Sequence, residues 1–499
     1  MPSRARKSVP TRSAGVAGNI LWSGASRGLQ AVTGFVATVA VARHLPLAGL
    51  GEYLSALAVA GAVLSVSYCG IQQYLVRELG RGADDPGALV GAGVLIRLAI
   101  IGLAGLGLAG WAGFAPAGSR ADLAALVLVA FGCEACRSMG QLAGAVFQGQ
   151  ERMRPECLLA LLHSLLWGVL LTMAIRLGSG PFGLLVASGL ALAGHCLASW
   201  IVVVRGAVRP RLGAGCKRVA RMLRASLVIG LSVILLQNLF RVNVLLLQWL
   251  GTAEEVAFFQ TPHDLVLRLQ ILFQAVMLAA FPALSRLFAV GPVRGAELTL
   301  ALGRLVAASA GGLALTLYLF ADPLLVMVYG GKMVPAVSCL RVLALGTVPL
   351  ALGLVWSQVL IATGGQRRVL WVNAATLAFN GLLGLVLTPR YGVFGASVAA
   401  LAAYAVSALG ALWAARGLFR GRIAALANLQ ALAALGGGLL VSAVLPGRWG
   451  GPAGLAAYAA LLLVLRGVGL SDIRVLTRCV RPVGPAVRQE NVTSVEKGC

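Results

Sequence analysis

Glu134 and Arg137 stand three residues apart in "LVAFGCEACRSMGQLAGAVF", residues 128–147, a stretch otherwise apolar enough to lie inside a membrane. Asp264 and Arg268 repeat the theme four residues apart. At these spacings the members of each pair share a helix face. Two chemistries fit such pairs. One is a self-neutralising ion pair that makes a buried charge tolerable; the other is a gate or relay that exchanges partners as the protein changes conformation.

Seven arginines fall inside apolar segments: Arg27, Arg97, Arg137, Arg241, Arg268, Arg304 and Arg341. Facing lipid, seven would cost on the order of 20 kcal/mol on insertion scales, so they must mostly face protein or water. On the first segment Asn19, Ser23, Ser26, Arg27 and Gln30 form one polar stripe at helical spacing, and on the seventh Ser226, Gly230, Gln237, Arg241 and Gln248 do the same. Each stripe reads either as interhelical glue or as the wall of a shared cationic cavity; for Arg27 and Arg241 the cavity is favoured. Counted within the segments, seven positive charges face two negative ones, a balance that suits an anion, and guanidinium matches phosphate oxygens well.

Other reactive side chains offer less. Cys133 and Cys136 form a C-x-x-C with no second pair or nearby His, so small residues on a helix face explain them better than a metal site. His163 and His195 read as buried imidazoles or as a proton relay. No P-loop, metal signature or nucleophile–base pattern is present, and no cofactor is expected.

The elements that position these groups follow from composition. Of 499 residues, 59% are hydrophobic and 11% charged, and the mean hydropathy is +0.89. An ordinary soluble domain has roughly 25% charged residues, so this is a membrane protein. Apolar runs begin near residues 17, 48, 87, 121, 156, 182, 221, 255, 297, 335, 369, 394, 423 and 450. The fold expected is all-α and polytopic, with about 14 transmembrane helices. Pro262 and Pro349 are candidate kinks.

The net charge of +25 follows the loops. With the N-terminus cytoplasmic, 28 basic residues fall on the cytoplasmic side, 6 on the other and 7 within helices. The even spread over short loops excludes a nucleic-acid interface. It places both termini of a multi-pass protein in the cytoplasm.

Two halves are legible. "FQGQERM" followed by "RLGSGPFGLLVASGLA" in the first is echoed by "ATGGQRRV" followed by "RYGVFGASVAALA" in the second. The expected organisation is a basic N-terminus (1–16), a six-helix lobe (17–205), a basic linker (206–220) and a second six-helix lobe (221–416). Two extra helices (417–470) and a cytoplasmic tail (471–499) complete it. An even helix number relates the lobes by pseudo-two-fold symmetry about the membrane normal, where transporters place substrate.

"FQTPHDLVLRLQILFQAVMLAAFPALSRLFA", "VLIATGGQRRVLWVNAATLAFNGLLGLVLTPRYGVFGASVAA" and "ARHLPLAGLGEYLSA" resemble polysaccharide biosynthesis flippases of the Wzx type, in the multidrug/oligosaccharidyl-lipid/polysaccharide (MOP) exporter superfamily. The resemblance implies a bacterial inner-membrane carrier that moves a polyprenyl-pyrophosphate-linked oligosaccharide to the periplasmic leaflet by alternating access. Arginines would meet the pyrophosphate and the polar stripes the sugars. The partners implied are that glycan, membrane lipids, and the polymerase and glycosyltransferases of the same pathway.

Three alternatives stay open. A lipid II flippase and a cation-coupled drug exporter share the superfamily, although the exporter needs unpaired carboxylates and here both have Arg neighbours. A membrane glycosyltransferase or polymerase would need catalytic groups on a large external loop, and the longest offers only Asp322, Tyr329 and Lys332.

Overall fold

The computed structural model describes residues 13–82, 85–113, 119–206, 208–211, 213, 215–418, 422–445, 447, 449–465, 467, 469 and 472, with side chains left undescribed at 13–21, 23, 25, 27, 119–121, 216, 292 and 422–428. Among the described residues all regular structure is helical. In a bilayer every backbone polar group must be satisfied within the protein, and a helix does this with its own carbonyls.

The chain divides into two compact units at Gln260 and Thr261. The first holds α1 (Ser13–His44), α2 (Leu47–Leu64), a 3-10 turn (Ser65–Tyr68), α3 (Ile71–Gly80), α4 (Pro86–Gly113), α5 (Ser119–Gly149), α6 (Met153–Arg176), α7 (Pro181–Gly206), α8 (Cys216–Leu239) and α9 (Val242–Leu250). The division falls inside α10 (Ala253–Leu269). The second unit continues with α11 (Ile271–Val290), α12 (Pro292–Leu319), α13 (Ala321–Tyr329), α14 (Val337–Ala362), α15 (Gln366–Ala415), α16 (Arg422–Val444) and α17 (Gly450–Val464).

Ten segments are long and apolar enough to cross a membrane, and α16 and α17 add two shorter apolar helices. The last of the ten contains α15, which holds two spans. Gly392, at φ 53° and ψ −131°, breaks it between the expected starts at 369 and 394, in a conformation glycine adopts at little cost. With the 32-residue α1, the layout is about fourteen membrane helices. α10 runs on through Pro262 and α14 through Pro349; the interruptions come instead at Arg241, Gln270 and Gly392.

The sequence places the seventh span at the head of the second lobe, yet α8 packs in the first unit against the 3-10 turn, α3 and α4. Backbone proximity is the reason. Gly70 has φ 67°, and a Cβ there would fall 2.6 Å from Ser226 O; a Cβ at Gly230 would fall 2.2 Å from the Cys69 carbonyl carbon. Ser226 Oγ donates to Met222 O at 2.9 Å on its own helix. The upper part of the expected polar stripe on the seventh span is therefore a packing surface.

The core of this unit lies between α3, α4, α5, α7 and α8, built from Ile71, Leu75, Val90, Leu142, Val146, Val203 and Met222. A strap at residues 208–211 returns over α4, where Arg211 N–H donates to Gly87 O at 2.9 Å. A Cβ at Gly91 would meet Arg211 O at 2.0 Å. Gly91→Val is expected to lift the strap and cost about 1–3 kcal/mol, read as a lower unfolding temperature in detergent. An unchanged temperature would mean that the strap does not bear on α4.

In the second unit α11, α12, α14, α15, α16 and α17 share one core that includes Met277, Leu302, Val355, Trp356 and Ala411. α14 meets α15 closely: Ser397 Oγ donates to Cys339 Sγ at 3.0 Å, and a Cβ at Gly353 would lie 3.6 Å from Ala408 Cα. Tyr458 on α17 donates its hydroxyl to Ala308 O at 2.5 Å.

Candidate functional site

Glu134 is the midpoint of the 31-residue α5, about 22 Å from either end at the helical rise. Its residue is 7% exposed, whereas the Arg137 side chain is 48% exposed and lies 3.5 Å from it, Nε to Oε1. The ion pair is thus a buried carboxylate beneath an accessible guanidinium. A bare carboxylate at this depth would be costly, and the neighbouring cation offsets that cost.

Two further arginines converge on the same region. Arg97 of α4 is 0% exposed, donates Nη1 to the Ser138 carbonyl on α5, and sits 5.6 Å over the ring of Tyr68. Its Nε and Nη2 have no hydrogen-bond partner, and among the described residues no carboxylate pairs with it. Arg241 occupies the interruption between α8 and α9 and donates Nη1 to Gln237 Oε1 at 3.2 Å. Its guanidinium lies on the bare backbone of α2, where a Cβ at Gly61 would come within 2.9 Å of Nε and Nη2.

The organising residue is Tyr68, at the end of the 3-10 turn, which feels the charges of Glu134, Arg137, Arg97 and Arg241 together. Hydrogen bonds hold this turn from two sides. Ser67 Oγ meets Ser138 Oγ at 2.9 Å, and Asn238 Nδ2 of α8 donates to Ser65 Oγ at 2.8 Å. Arg137 also acts on Tyr53 of α2. Three guanidinium groups and one carboxylate therefore converge on Tyr68, an arrangement able to hold a multiply charged anion by charge-assisted hydrogen bonds.

The remaining expected site residues distribute unevenly. Gln248 continues the Arg241 face two turns along α9, and its Oε1 is buried without a partner. Gln30 of α1 is exposed and donates to Ser26 Oγ at 3.2 Å. Asn19, Ser23 and Arg27 lie outside the residues whose side chains are described. Asp264 and Arg268 stay one turn apart on α10, in the second unit, and both act on Tyr329.

The charge count changes once distant partners are seen. Arg341 meets Asp322 at 3.1 Å and Arg304 is bound bidentately by Asp472, so two arginines counted as unbalanced are neutralised from outside their helices. Cys133 Sγ donates to Leu185 O of α7 at 3.4 Å, which makes it a packing residue. His163 and His195 come together with ring centroids 5.3 Å apart, and His163 stacks on Trp167.

Sequence reasoning missed Tyr68 and Tyr53 and left Arg97 out of the site. The signal for the first was "SVSYCG", where Ser-rich sequence followed by Gly70 marks a helix break inside a span.

The family profile described as "Polysaccharide biosynthesis protein" matches residues 16–288, more than half of the chain, and so contains every residue of this cluster. The chain belongs to the polysaccharide biosynthesis protein family.

No curated protein matches it in sequence. Solved structures share its fold. The lipid II flippase MurJ in an inward closed conformation superposes with a TM-score of 0.64 at 14% identity, covering 91% of this chain and 99% of that one. An inward-facing multidrug resistance MATE family transporter of the MOP superfamily gives 0.55 at 18%, covering 82% and 98%. A MOP superfamily transporter from Pyrococcus furiosus gives 0.54 at 17%, covering 83% and 96%. This member of the polysaccharide biosynthesis protein family is a multi-pass membrane protein that shares the fold of those transporters.

Proposed function

We infer that the chain is a flippase that carries polyprenyl-pyrophosphate-linked oligosaccharide units from the cytoplasmic to the periplasmic leaflet of a bacterial inner membrane by alternating access, for export of a surface polysaccharide. The observation that carries this reading is the cluster of Arg97, Arg137 and Arg241 around Tyr68, with Glu134 among them. Pyrophosphate is the part of such a lipid that needs a dense cationic site, and guanidinium binds its oxygens through paired N–H donors. Arg137 is the accessible member, Arg241 the half-buried one, and Arg97 adds positive potential from behind the tyrosine.

The energetics support outward movement. With the inside negative, each negative charge carried across the whole potential gains about 2.3 kcal/mol per 100 mV. A pyrophosphate can therefore be driven partly by the membrane potential, without a required cation site. A cation-coupled exporter would instead use a carboxylate that binds and releases its ion, and Glu134 is held by Arg137.

Leaflet translocation of polyprenyl-pyrophosphate oligosaccharide in proteoliposomes tests this. Wild type is expected to transport, and Arg241→Ala and Arg27→Ala to lose at least about tenfold with folding retained, the scale of one charge-assisted bond. Glu134→Gln is expected to keep transport under an imposed inside-negative potential. Loss of transport in Glu134→Gln alone, with both arginine variants active, would replace this reading with a proton-coupled exporter.

A further inference from the structure

The segment from Arg205 to Arg224 carries seven basic residues and no acidic one. Its described part is held on α4 by the strap contact at Gly87 and by Asp85, which accepts the Ala88 N–H at 3.0 Å and caps the first turn. Asp85 also lies 3.8 Å from Arg211 and 3.6 Å from Arg218. The Ala88 amide, and after it the two guanidinium groups, hold this carboxyl below the usual carboxylate range. It is ionised at neutral pH, yet it is a single negative charge against five cations.

Those cations line two adjoining open grooves. Arg211, Lys217, Arg218 and Arg221 line one of about 580 Å³, and Lys217, Arg221 and Arg224 line its neighbour of about 640 Å³. Neither groove belongs to the Tyr68 cluster.

The identity of a ligand follows from how α8 changes along its length. Met222, Ser226 and Gly230 form its buried face. The opposite face begins with Lys217, Arg221 and Arg224, all exposed, and continues through exposed Leu227 and Leu231. From Arg221 to Leu231 is ten residues, about 15 Å of helix. One continuous face is thus cationic at the membrane edge and aliphatic immediately below it. A soluble acidic protein or a nucleic acid would complement only the first part; a phospholipid complements both, phosphate against the cations and acyl chain along the leucines.

We propose that the groove formed by the 208–211 strap, Asp85 and the first two turns of α8 is a binding site for the phosphate headgroup of an anionic phospholipid in the leaflet on the arginine-rich side. Phosphate oxygens meet Lys217, Arg221 and Arg224, while Asp85 keeps Arg211 and Arg218 turned toward the groove wall. The site is separate from the substrate cluster and would fix the entrance of α8 relative to the bilayer surface.

The test uses the full chain in detergent, titrated with phosphatidylglycerol or phosphatidylcholine, with bound lipid counted by native mass spectrometry. Wild type is expected to retain phosphatidylglycerol preferentially. The K217Q/R221Q/R224Q variant should bind it about tenfold or more weakly with phosphatidylcholine unchanged, since each surface cation contributes appreciably. All three side chains are exposed, so folding is retained; the single Arg221→Gln gives a smaller loss of the same sign. R367Q/R368Q, which removes two exposed cations from the first turn of α15, should keep the preference. The proposal is overturned if the triple variant binds as wild type does, if R367Q/R368Q loses the preference equally, or if inorganic phosphate displaces the lipid at matched phosphate concentration, which would mark a free-anion site.

Discussion

Arg97→Met is expected to raise the unfolding temperature of the protein while abolishing most of its transport. The guanidinium is fully buried, with one carbonyl acceptor and two nitrogens that bond to nothing. Replacing a buried ionic group by an apolar side chain of similar length is often stabilising by about 1–4 kcal/mol, because the desolvation cost disappears with the charge. Against this stands the lost stacking over Tyr68, worth about 0.5–2 kcal/mol. The balance favours the methionine by about 1–2 kcal/mol, a rise of a few degrees in a thermal scan. Transport should fall at least about tenfold, since the cluster loses one of its three guanidinium groups. Arg97→Lys keeps the charge and should recover part of the activity. A lower unfolding temperature with full transport would show that Arg97 is a structural tie and nothing more. A residue that costs stability and is kept is the expected mark of a functional site.

The opposite sign is expected beyond α17. Asp472→Ala should destabilise the second unit by about 2–3 kcal/mol. Asp472 is 3% exposed, grips Arg304 of α12 with both oxygens (Nε to Oδ2 at 3.1 Å) and also accepts the Gly469 N–H at 2.9 Å. Breaking a fully buried pair costs about 3–5 kcal/mol; the Arg304 side chain keeps 28% of its surface in contact with solvent, which reduces the figure. The double variant R304M/D472L removes both charges and should recover most of the loss, so a double-mutant cycle isolates the pair. Equal unfolding temperatures for wild type and Asp472→Ala would mean that the segment beyond α17 does not hold α12.

The two cases show how far the sequence could be read. The Glu134–Arg137 pair was legible because both partners sit on one turn of one helix, and helical periodicity alone brings them together. Arg304 and Asp472 are separated by 168 positions, and nothing in either neighbourhood signals the other. Arg341 and Asp322 escaped for a related reason, since Asp322 lies on α13 and looks from the sequence like a loop carboxylate.

The sequence by itself determined the class of molecule: an all-helical membrane protein of about fourteen spans, with arginines inside its apolar segments. These properties follow from composition and from local period, and the bilayer admits few solutions for such a chain. Tertiary structure alone decided that α8 packs with the first unit, that Arg97 and Arg241 approach Tyr68 from different helices, and that two of the seven arginines are neutralised from afar. The packing of α8 and the seating of Arg241 depend on backbone approach at Gly61, Gly70 and Gly230. A helix's own periodicity states which face is small, but not which helix will meet it.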